Sequence, residues 1–226
     1  MNRKFVSAVA GAAAGLLALT ACGGDSDASS GEDKTISIVG FAVPEAANKA
    51  IASEFVKTEE GKGATFKTSY GASGDQSRAV ADGLDADYVH FSVATDVARL
   101  VDAGLVDASW NQGENKGIVS TSVVVLGVRD GNPKNIQGWD DLIKPGVGIV
   151  TANPASSGAA RWNALAAWGH VTENGGTEEE ATEFVDKMFA NVVSLTNSGR
   201  DATTSFLQGN GDVLDRKSTR LNSSHT

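Results

Sequence analysis

The stretch PASSGAARWN, residues 154–163, places two serines and a glycine between a short apolar run and a helix-forming segment. The same arrangement recurs in YGASGDQSR, residues 70–78, and in TNSGRDATT, residues 196–204. Each of the three stretches follows a β-like run and leads into a segment with helical periodicity. Ser-Gly turns at three strand-to-helix junctions indicate a chain built from repeated βα units.

Strands and helices alternate along the chain from Lys34 onward. Predicted strands cover residues 35–40, 64–70, 87–93, 120–129, 147–151 and 192–195, and a last strand begins at 212. Predicted helices cover 45–58, 95–103, 138–143, 177–189 and 202–207. Two more run from the Ser-Gly turn at 70–78 to residue 84 and from the Ser-Gly turn at 154–163 to residue 168. The first helix carries Ala47, Ile51 and Phe55 on one face. Strands that alternate with helices predict parallel sheets.

The stretch DGNP, residues 130–133, separates two series of strands and helices. Gly, Asn and Pro are residues that break regular structure, and a new βα series begins after them. The sequence therefore predicts an α/β protein with two lobes, the first covering residues 34–129 and the second covering residues 130–214.

The first 21 residues have the pattern of an export signal, because two basic residues precede the apolar stretch 5–19. The tetrapeptide LTAC, residues 19–22, resembles the bacterial lipobox, in which the cysteine is acylated. Residues 22–33 then form a polar tether. Cys22 is the only cysteine of the chain, so an intrachain disulfide is excluded. We expect lipid anchoring at the outer face of the cytoplasmic membrane, and a plain secretory signal is the alternative.

The final segment, residues 215–226, has the sequence DRKSTRLNSSHT, which is basic and polar and lacks an apolar period. It interrupts a predicted strand that has only just begun, and it resembles translated adaptor sequence. We expect a non-native tail on a truncated chain whose first lobe is incomplete. A natural disordered tail is the alternative.

The charge balance argues against nucleic-acid binding. The chain has 19 Lys and Arg against 28 Asp and Glu, which gives a net charge of -9. Several of the basic residues lie in the export signal and the final segment, so the predicted lobes are more acidic still. Affinity for nucleic acid depends on a basic surface, which these lobes lack.

The three Ser-Gly turns predict an anion site. In an open α/β sheet the carboxyl ends of the strands and the starts of the following helices lie at one edge, where ligands bind. Each helix start offers unpaired N–H groups and about half a positive charge. Glycine allows close approach of the backbone, and serine adds a hydroxyl donor. A serine before a helix often serves only as a cap, but three such turns together indicate an anion site made of neutral donors.

An enzyme is the competing interpretation, and it has little support in the sequence. The turn around Ser73 is not the G-x-S-x-G motif of a nucleophilic serine. His90 lies in a predicted strand, where packing is its expected role, and His170 lies at a helix end, where it suits the helix dipole. The sequence has no pairs of His or Cys at metal-binding spacing, so we expect neither a metal nor a cofactor. A membrane-anchored hydrolase that uses Ser73 or Ser157 stays open as the alternative of a different class.

Four stretches are similar to the sulfate/thiosulfate-binding proteins that deliver substrate to ABC importers. These stretches are SYGASGDQSRAV, VRDGNPKNIQGWDDLIKPGV, TANPASSGAARWNALAAWG and GRDATTSF. The similarity extends from about Lys34 to Leu214. It implies a two-lobed periplasmic-binding-protein fold, type II like, that closes over one tetrahedral dianion. The implied ligand is sulfate or thiosulfate, and the implied partners are the membrane permease subunits of an importer. A receptor for another oxyanion such as molybdate is the alternative within transport.

The resemblance also implies ligand contacts, which fall on Ser73, Ser157, Gly158, Ala159 and Gly199, with Arg200 next to the last of these. This sequence departs from the family pattern in three ways. The family often has an aspartate in the turn where this chain has residues 41–44, FAVP, and its usual Gly-Gly pair is Gly-Ala here. The strand that carries a tryptophan ligand in the family has no counterpart in this sequence.

Overall fold

Residues 34–218 of the chain are described by a computed structural model. The predicted export signal, the tether and Cys22 lie outside the described residues, as does residue 219 onward of the segment expected to be a tail.

The first sheet is entirely parallel and has the strand order β2-β1-β3. Its strands are β1 (Thr35–Phe41), β2 (Thr65–Gly71) and β3 (Tyr88–His90). Its helices are α1 (Glu45–Phe55), α2 (Ser73–Ala81) and α3 (Ala94–Asp102). This order confirms the prediction of parallel βα units in the first lobe.

The second sheet has the strand order β4-β7-β5-β6 and is mixed. Its strands are β4 (Val123–Val128), β5 (Ile149–Ala152), β6 (Val192–Thr196) and β7 (Val213–Ser218). Its helices are α4 (Gly158–Glu173), α5 (Glu178–Ala190) and α6 (Gly199–Leu207), and a short 3-10 helix covers Trp139–Asp141. Strand β5 pairs in parallel with β6 and with β7, as predicted, whereas β4 pairs antiparallel with β7.

The position of β4 differs from the division at residue 130. The sequence division assigns 120–129 to the first lobe, but β4 is hydrogen-bonded along its length to β7, from Val123 opposite Ser218 to Val128 opposite Val213. The chain therefore crosses between the two sheets in the segment that separates α3 from β4, before DGNP.

The first residues of the segment after Leu214 belong to the second sheet, which the alternative of a disordered tail does not allow for them. Strand β7 continues to Ser218. Asp215 is only 1% exposed, and its Oδ1 accepts hydrogen bonds from Thr151 Oγ1 at 2.6 Å and from Asn163 Nδ2 at 2.5 Å. These bonds to β5 and α4 hold the first residues of the segment in the sheet.

The two lobes differ in the size of their apolar cores. The core of the second lobe is extensive, and its buried members are Ile136, Leu142, Val147, Ile149, Ala167, Phe184, Met188 and Val213. The first lobe has a smaller buried cluster of Val39, Val80 and Leu100. The apolar face predicted on α1 is not covered, since Ile51 is 65% exposed and the buried residue of that helix is Asn48.

Helix starts in the second lobe follow their sequence signals. Thr177 and Glu180 form the capping box expected from their spacing: the Thr177 N–H donates to Glu180 Oε2 at 2.8 Å, and the Glu180 N–H donates to Thr177 Oγ1 at 3.2 Å. Ser157 caps α4 by accepting from the Ala160 N–H at 3.4 Å. Ser198 caps α6 by accepting from the Asp201 N–H at 3.2 Å. The Ser-Gly turns before α4 and α6 are thus helix starts with serine caps.

Candidate anion-binding site

The three Ser-Gly turns meet at one small cavity between the two lobes, which we call the junction cavity. Residues of the turn after β1 and of the starts of α2, α4 and α6 line it: Phe41, Ala42, Val43, Gly71, Ala72, Ser73, Ser157, Ala159, Ser198 and Gly199. Four of the residues predicted as ligand contacts are therefore brought together, namely Ser73, Ser157, Ala159 and Gly199. The first-turn N–H groups of a helix have no partner within the helix, and three helix starts contribute lining residues to this cavity. The arrangement suits an anion.

Ser157 has a hydroxyl that is available to a ligand. Its Oγ accepts from the Ala160 N–H, which leaves the hydroxyl hydrogen to donate. The side chain is buried and lines the junction cavity. Ser157 can therefore cap α4 and donate a hydrogen bond to an anion at the same time.

Ser73 differs from the expectation of a hydroxyl donor. Its Oγ donates to Asp96 Oδ2 at 2.7 Å and accepts from the Ser92 N–H at 2.9 Å. The hydroxyl hydrogen is therefore already committed to a buried carboxylate. The group that Ser73 offers to a ligand is its backbone N–H, at the first position of α2.

Gly158 lies beside the junction cavity, at a close contact between the lobes. A Cβ added at Gly158 would lie 2.8 Å from Ser92 Cβ and 3.2 Å from Ser73 Cβ. A Cβ at Gly74 would likewise lie 2.8 Å from the Ser156 carbonyl oxygen, which accepts a hydrogen bond from the Gly74 N–H at 2.8 Å. The starts of α2 and α4 approach this closely because glycine occupies both positions.

Arg200 follows Gly199 but is not among the residues that line the junction cavity, and its guanidinium is held by the turn after β1. Nε donates to the Ala42 carbonyl oxygen at 3.2 Å, Nη2 donates to the same oxygen, and Nη2 lies 3.5 Å from Glu45 Oε2. Its side chain therefore bridges α6 to the turn after β1 and the start of α1. That turn is the one in which the family aspartate is replaced.

A buried carboxylate behind the site was missed by the sequence analysis. Asp96, at the start of α3, is fully buried, and its Oδ1 lies 2.9 Å from Arg161 Nη1 and 3.3 Å from Arg99 Nη1. Its Oδ2 holds the Ser73 hydroxyl. An acid in the first turn of a helix is usually explained by the helix dipole, so its position in the sequence does not indicate an ion pair with Arg161 on the other lobe.

A second small cavity adjoins the junction cavity, and the two share Val43, Ala159 and Gly199 as walls. We call it the Asp215 cavity, and its remaining lining residues are Ala152, Asn163, Asp215, Arg216 and Lys217. Burial raises the pKa of Asp215 to about 6, although the hydrogen bonds from Thr151 and Asn163 act in the opposite direction. A carboxylate therefore lies next to a site that was expected to contain donors alone.

His90 and His170, the histidines within residues 34–218, do not pair with either candidate nucleophile. His90 is buried, its Nδ1 lies 3.3 Å from Asn48 Nδ2, and its ring packs edge-on against Phe41. Desolvation lowers the pKa of His90, with a smaller contribution from Lys217. His170 Nε2 lies 2.9 Å from Asp140 Oδ1 on the surface of the second lobe. The hydrogen bonds of Ser73 and Ser157 described above involve no histidine, whereas a nucleophilic serine needs a base within reach.

A larger, mainly apolar cavity lies beside the junction cavity and shares Phe41 with its lining. It has a volume of about 580 Å³. Its lining includes Val89, Trp110, Ile118, Val123, Trp162 and Lys217, from both lobes and from the segment that crosses between them. This lining offers little to an inorganic anion.

Neither a metal centre nor a membrane span is found in the part of the chain that the structure describes. No three His, Cys, Asp or Glu side chains of residues 34–218 are grouped closely enough to hold a metal ion. None of the helices there combines the length and the apolar character needed to cross a membrane.

Two α/β lobes whose helix starts line one cavity between them define a two-lobed solute-binding protein. The chain belongs to the family described as bacterial extracellular solute-binding protein, whose family model matches residues 36–216.

Relatives and solved structures confirm the resemblance to sulfate- and thiosulfate-binding proteins. The chain is 44% identical over 220 residues to a sulfate-binding protein of Synechococcus elongatus, a match that covers 94% of this chain and 63% of the relative. It is 45% identical over 164 residues to a thiosulfate-binding protein of Pseudomonas aeruginosa, covering 71% of this chain and 49% of the relative. The solved structure of the sulfate-binding protein SubI from Mycobacterium tuberculosis superposes with a TM-score of 0.78 at 47% identity, covering 81% of this chain and 64% of SubI. The chain thus spans between half and two thirds of the length of these proteins.

Proposed function

We propose that the chain binds sulfate or thiosulfate in the junction cavity and delivers it to the permease subunits of an ABC importer from outside the cytoplasmic membrane. The observation that carries this proposal is the convergence of the starts of α2, α4 and α6 on one cavity between the lobes. The names of the relatives support the choice of anion.

The proposed donors are neutral. Backbone N–H groups of Ser73, Gly158, Ala159 and Gly199 and the hydroxyl of Ser157 surround the anion, and three helix dipoles add their positive ends. Arg200 acts from a distance: its side chain holds the turn at Ala42, and its own backbone N–H lies in the first turn of α6. The anion is thus stabilised without a direct salt bridge.

The proposal extends to the N-terminal segment. An export signal over residues 1–21 would be removed, and a lipid on Cys22 would tether the mature chain beside the permease. The polar segment 22–33 would link the lipid at the membrane to the lobes that meet the importer.

The binding proposal is tested by isothermal titration of the purified chain with sulfate, thiosulfate, molybdate and phosphate in separate experiments. We expect saturable binding of sulfate or thiosulfate with one ion per chain. Stronger binding of molybdate than of either sulfur oxyanion would assign the site to the alternative oxyanion. If none of the four ions binds, the proposal is wrong.

The hydrolase alternative is tested on the same preparation with a panel of small ester substrates. Turnover that disappears in Ser157→Ala or Ser73→Ala and persists in Thr182→Ala would establish an enzyme in place of a receptor. Thr182 is a suitable control because it lies exposed on α5, where its hydroxyl donates to the Glu178 carbonyl oxygen. We expect no turnover in any of these proteins.

A further inference from the structure

Two buried oxygen atoms, on residues that line the Asp215 cavity, have no hydrogen-bond partner among the residues that the structure describes. They are Oδ2 of Asp215 and Oδ1 of Asn163, and both residues line the cavity. The other atoms of these two side chains are engaged, since Asn163 Nδ2 donates to Asp215 Oδ1 at 2.5 Å and to the Asp215 carbonyl oxygen at 3.1 Å. A buried polar atom without a partner is rare in folded proteins and calls for an explanation.

A proton on Asp215 Oδ2 would provide a donor for the unpartnered Asn163 Oδ1, whose amide nitrogen already lies 2.5 Å from the same carboxyl group. If Asp215 Oδ2 carries a hydrogen, that O–H needs an acceptor, and Asn163 Oδ1 is an unpartnered acceptor in the same cavity. The ionised form leaves both oxygens unsatisfied in a buried position, which is unfavourable. The burial that raises the pKa of Asp215 to about 6 acts in the same direction.

The charged groups around Asp215 leave its carboxylate without a counterion. On its own strand Arg216 and Lys217 also line the cavity, but Lys217 Nζ lies 3.4 Å from the Ser92 carbonyl oxygen and above the Trp162 ring. Strand β5 contributes Thr151, and its sequence IVTA has no charged residue. Strand β4 places Leu126 opposite Asp215.

The charged side chains on the helices packed against β7 are bonded to groups other than Asp215. The same is true of Arg129, which follows β4. Arg161 on α4 pairs with Asp96, and Arg200 on α6 bonds the turn at Ala42. Asp201 on α6 accepts from the Ser198 hydroxyl at 2.7 Å. Arg129, after β4, donates to the carbonyl oxygens of Phe206 and Gly211.

We propose that Asp215 takes up one proton from solvent when a dianion enters the junction cavity, and that Asn163 Oδ1 accepts the resulting hydrogen bond. This inference rests on the proposed function. The dianion and the carboxylate share the walls formed by Val43, Ala159 and Gly199, so two like charges would otherwise lie side by side in a buried place. Protonation of Asp215 removes the negative charge of the carboxylate.

Proton uptake makes binding depend on pH. Sulfate remains a dianion throughout the range from about pH 5 to about pH 8, so any change of its affinity in this range reports a group on the protein. Because the bound state holds more protons than the free state, affinity falls as pH rises above the pKa of the free site. Linkage limits the fall to about tenfold per pH unit for one proton.

The experiment is isothermal titration of sulfate into the chain at about pH 7 in buffers that differ in ionisation enthalpy. The slope of the observed enthalpy against the buffer enthalpy counts the protons taken up. We expect a clear uptake of up to one proton per sulfate in the unaltered chain and none in Asp215→Asn. Asp186→Asn, which removes an exposed carboxylate on α5, is the control and should retain the uptake.

A second measurement needs no variant, in case Asp215→Asn does not fold. The carboxyl carbon shift of Asp215, followed by NMR as pH is raised, should titrate at higher pH with sulfate than without it. Sulfate binding without proton uptake, or with uptake that persists in folded Asp215→Asn, would overturn the inference and leave the proposed function standing. Failure of the unaltered chain to bind sulfate at either pH 5 or pH 8 would overturn both.

Discussion

Asp96 Oδ1 lies 2.9 Å from Nη1 of Arg161, and this ion pair joins the first lobe to the second. Asp96 is fully buried and also holds the hydroxyl of Ser73 at the start of α2. Arg161 also donates from Nε to the Pro154 carbonyl oxygen at 2.9 Å, within the turn before α4. One carboxylate and one guanidinium therefore order two of the three helix starts that line the junction cavity.

The first prediction concerns this ion pair. Arg161→Met removes a hydrogen bond between charged groups at a buried carboxylate, so we expect the free energy of unfolding to fall by ~1.5–3 kcal/mol. Arg99 still lies near Asp96 Oδ1 and limits the loss. Arg78→Met is the matched control, because Arg78 pairs with Asp75 on the surface of α2, where ion pairs contribute ~0.2–1 kcal/mol. Urea denaturation measures both, and equal losses would contradict a special role for the buried pair.

The second prediction concerns the hydroxyl of Ser157. Ser157→Ala removes a donor to a dianion, a bond worth ~1.5–3 kcal/mol, so sulfate affinity should fall by about ten- to a hundredfold. The same change removes the cap of α4, which costs ~1 kcal/mol of stability.

Thr177→Ala separates these two effects, because it removes the equivalent cap from α5, which contributes no residue to the cavity. We expect both variants to lose similar thermal stability and only Ser157→Ala to lose affinity. An equal loss of affinity in the two variants would mean that stability, and not a hydrogen bond, is being measured.

The third prediction concerns phosphate. Near pH 5.5 the inorganic phosphate ion carries two hydrogens, and the backbone N–H groups of the junction cavity cannot accept hydrogen bonds from them. Burying an unpartnered donor costs ~1–3 kcal/mol, so sulfate should be preferred by about tenfold or more. As pH rises, ionised Asp215 repels sulfate, while the phosphate ion loses one of its two hydrogens and buries fewer unpartnered donors, so the preference for sulfate should narrow. Competition titrations at the two ends of the range test this, and a preference that widens with pH would contradict it.

The sequence predicted where the junction cavity would form, because the carboxyl ends of strands and the starts of helices meet at one edge of an α/β sheet. The positions of the three Ser-Gly turns were predicted from local sequence patterns, whereas the contacts Ser157, Ala159 and Gly199 were implied by the resemblance to the sulfate/thiosulfate-binding proteins. The partners of Asp96 and Asp215 were not predicted, because Arg161 is distant in sequence from Asp96 and Asn163 is distant from Asp215. Such pairs depend on how the lobes dock and on the register of β7.

The placement of β4 illustrates the same limit. Its apolar run was recognised as a strand, but alternating patterns do not reveal which sheet a strand joins. Strand β4 pairs antiparallel with β7, which lies far along the chain, and that pairing moves the lobe boundary. The exposure of Ile51 was also beyond the sequence pattern, because helical periodicity identifies an apolar face and not what covers it.

The fourth prediction concerns the anchor, which lies outside the described residues. If residues 19–22 act as a lipobox, mass spectrometry of the mature chain should find acylated Cys22 as the N-terminal residue, and the protein should partition into detergent. Cys22→Ala should block processing and leave a longer chain. Wild-type protein that is freely secreted, with no lipid on its N-terminal peptide, would remove the anchor from the proposal.

The last prediction separates two carboxylates by their effect on stability at different pH. Asp215 has a pKa of about 6 in the folded chain, raised first by burial, against an ordinary value near 3.8. Its contribution to stability is therefore fully present below about pH 4 and is lost as pH rises through about 6, by ~3 kcal/mol. Asp141 behaves in the opposite way. Its pKa is lowered to about 2 by the hydrogen bond from Lys144 and by the N–H groups of Gln137 and Gly138, so its contribution is present above about pH 4 and is lost as pH falls through about 2.

Urea denaturation at intervals from pH 2 to pH 7 tests this assignment. The quantity compared is the difference in the free energy of unfolding between the unaltered chain and each variant. The contribution of His90 is common to all these proteins and cancels in the difference. The difference between the unaltered chain and Asp215→Asn should change between about pH 4 and pH 6.5 and be flat below. The difference between the unaltered chain and Asp141→Asn should change only below about pH 4. Because Asp215 is held by Thr151 and Asn163 in the sheet, a flat first curve would mean that β7 does not bury this carboxylate in solution. The Asp215 carboxylate would then not lie beside the junction cavity, and there would be no reason to expect proton uptake on sulfate binding.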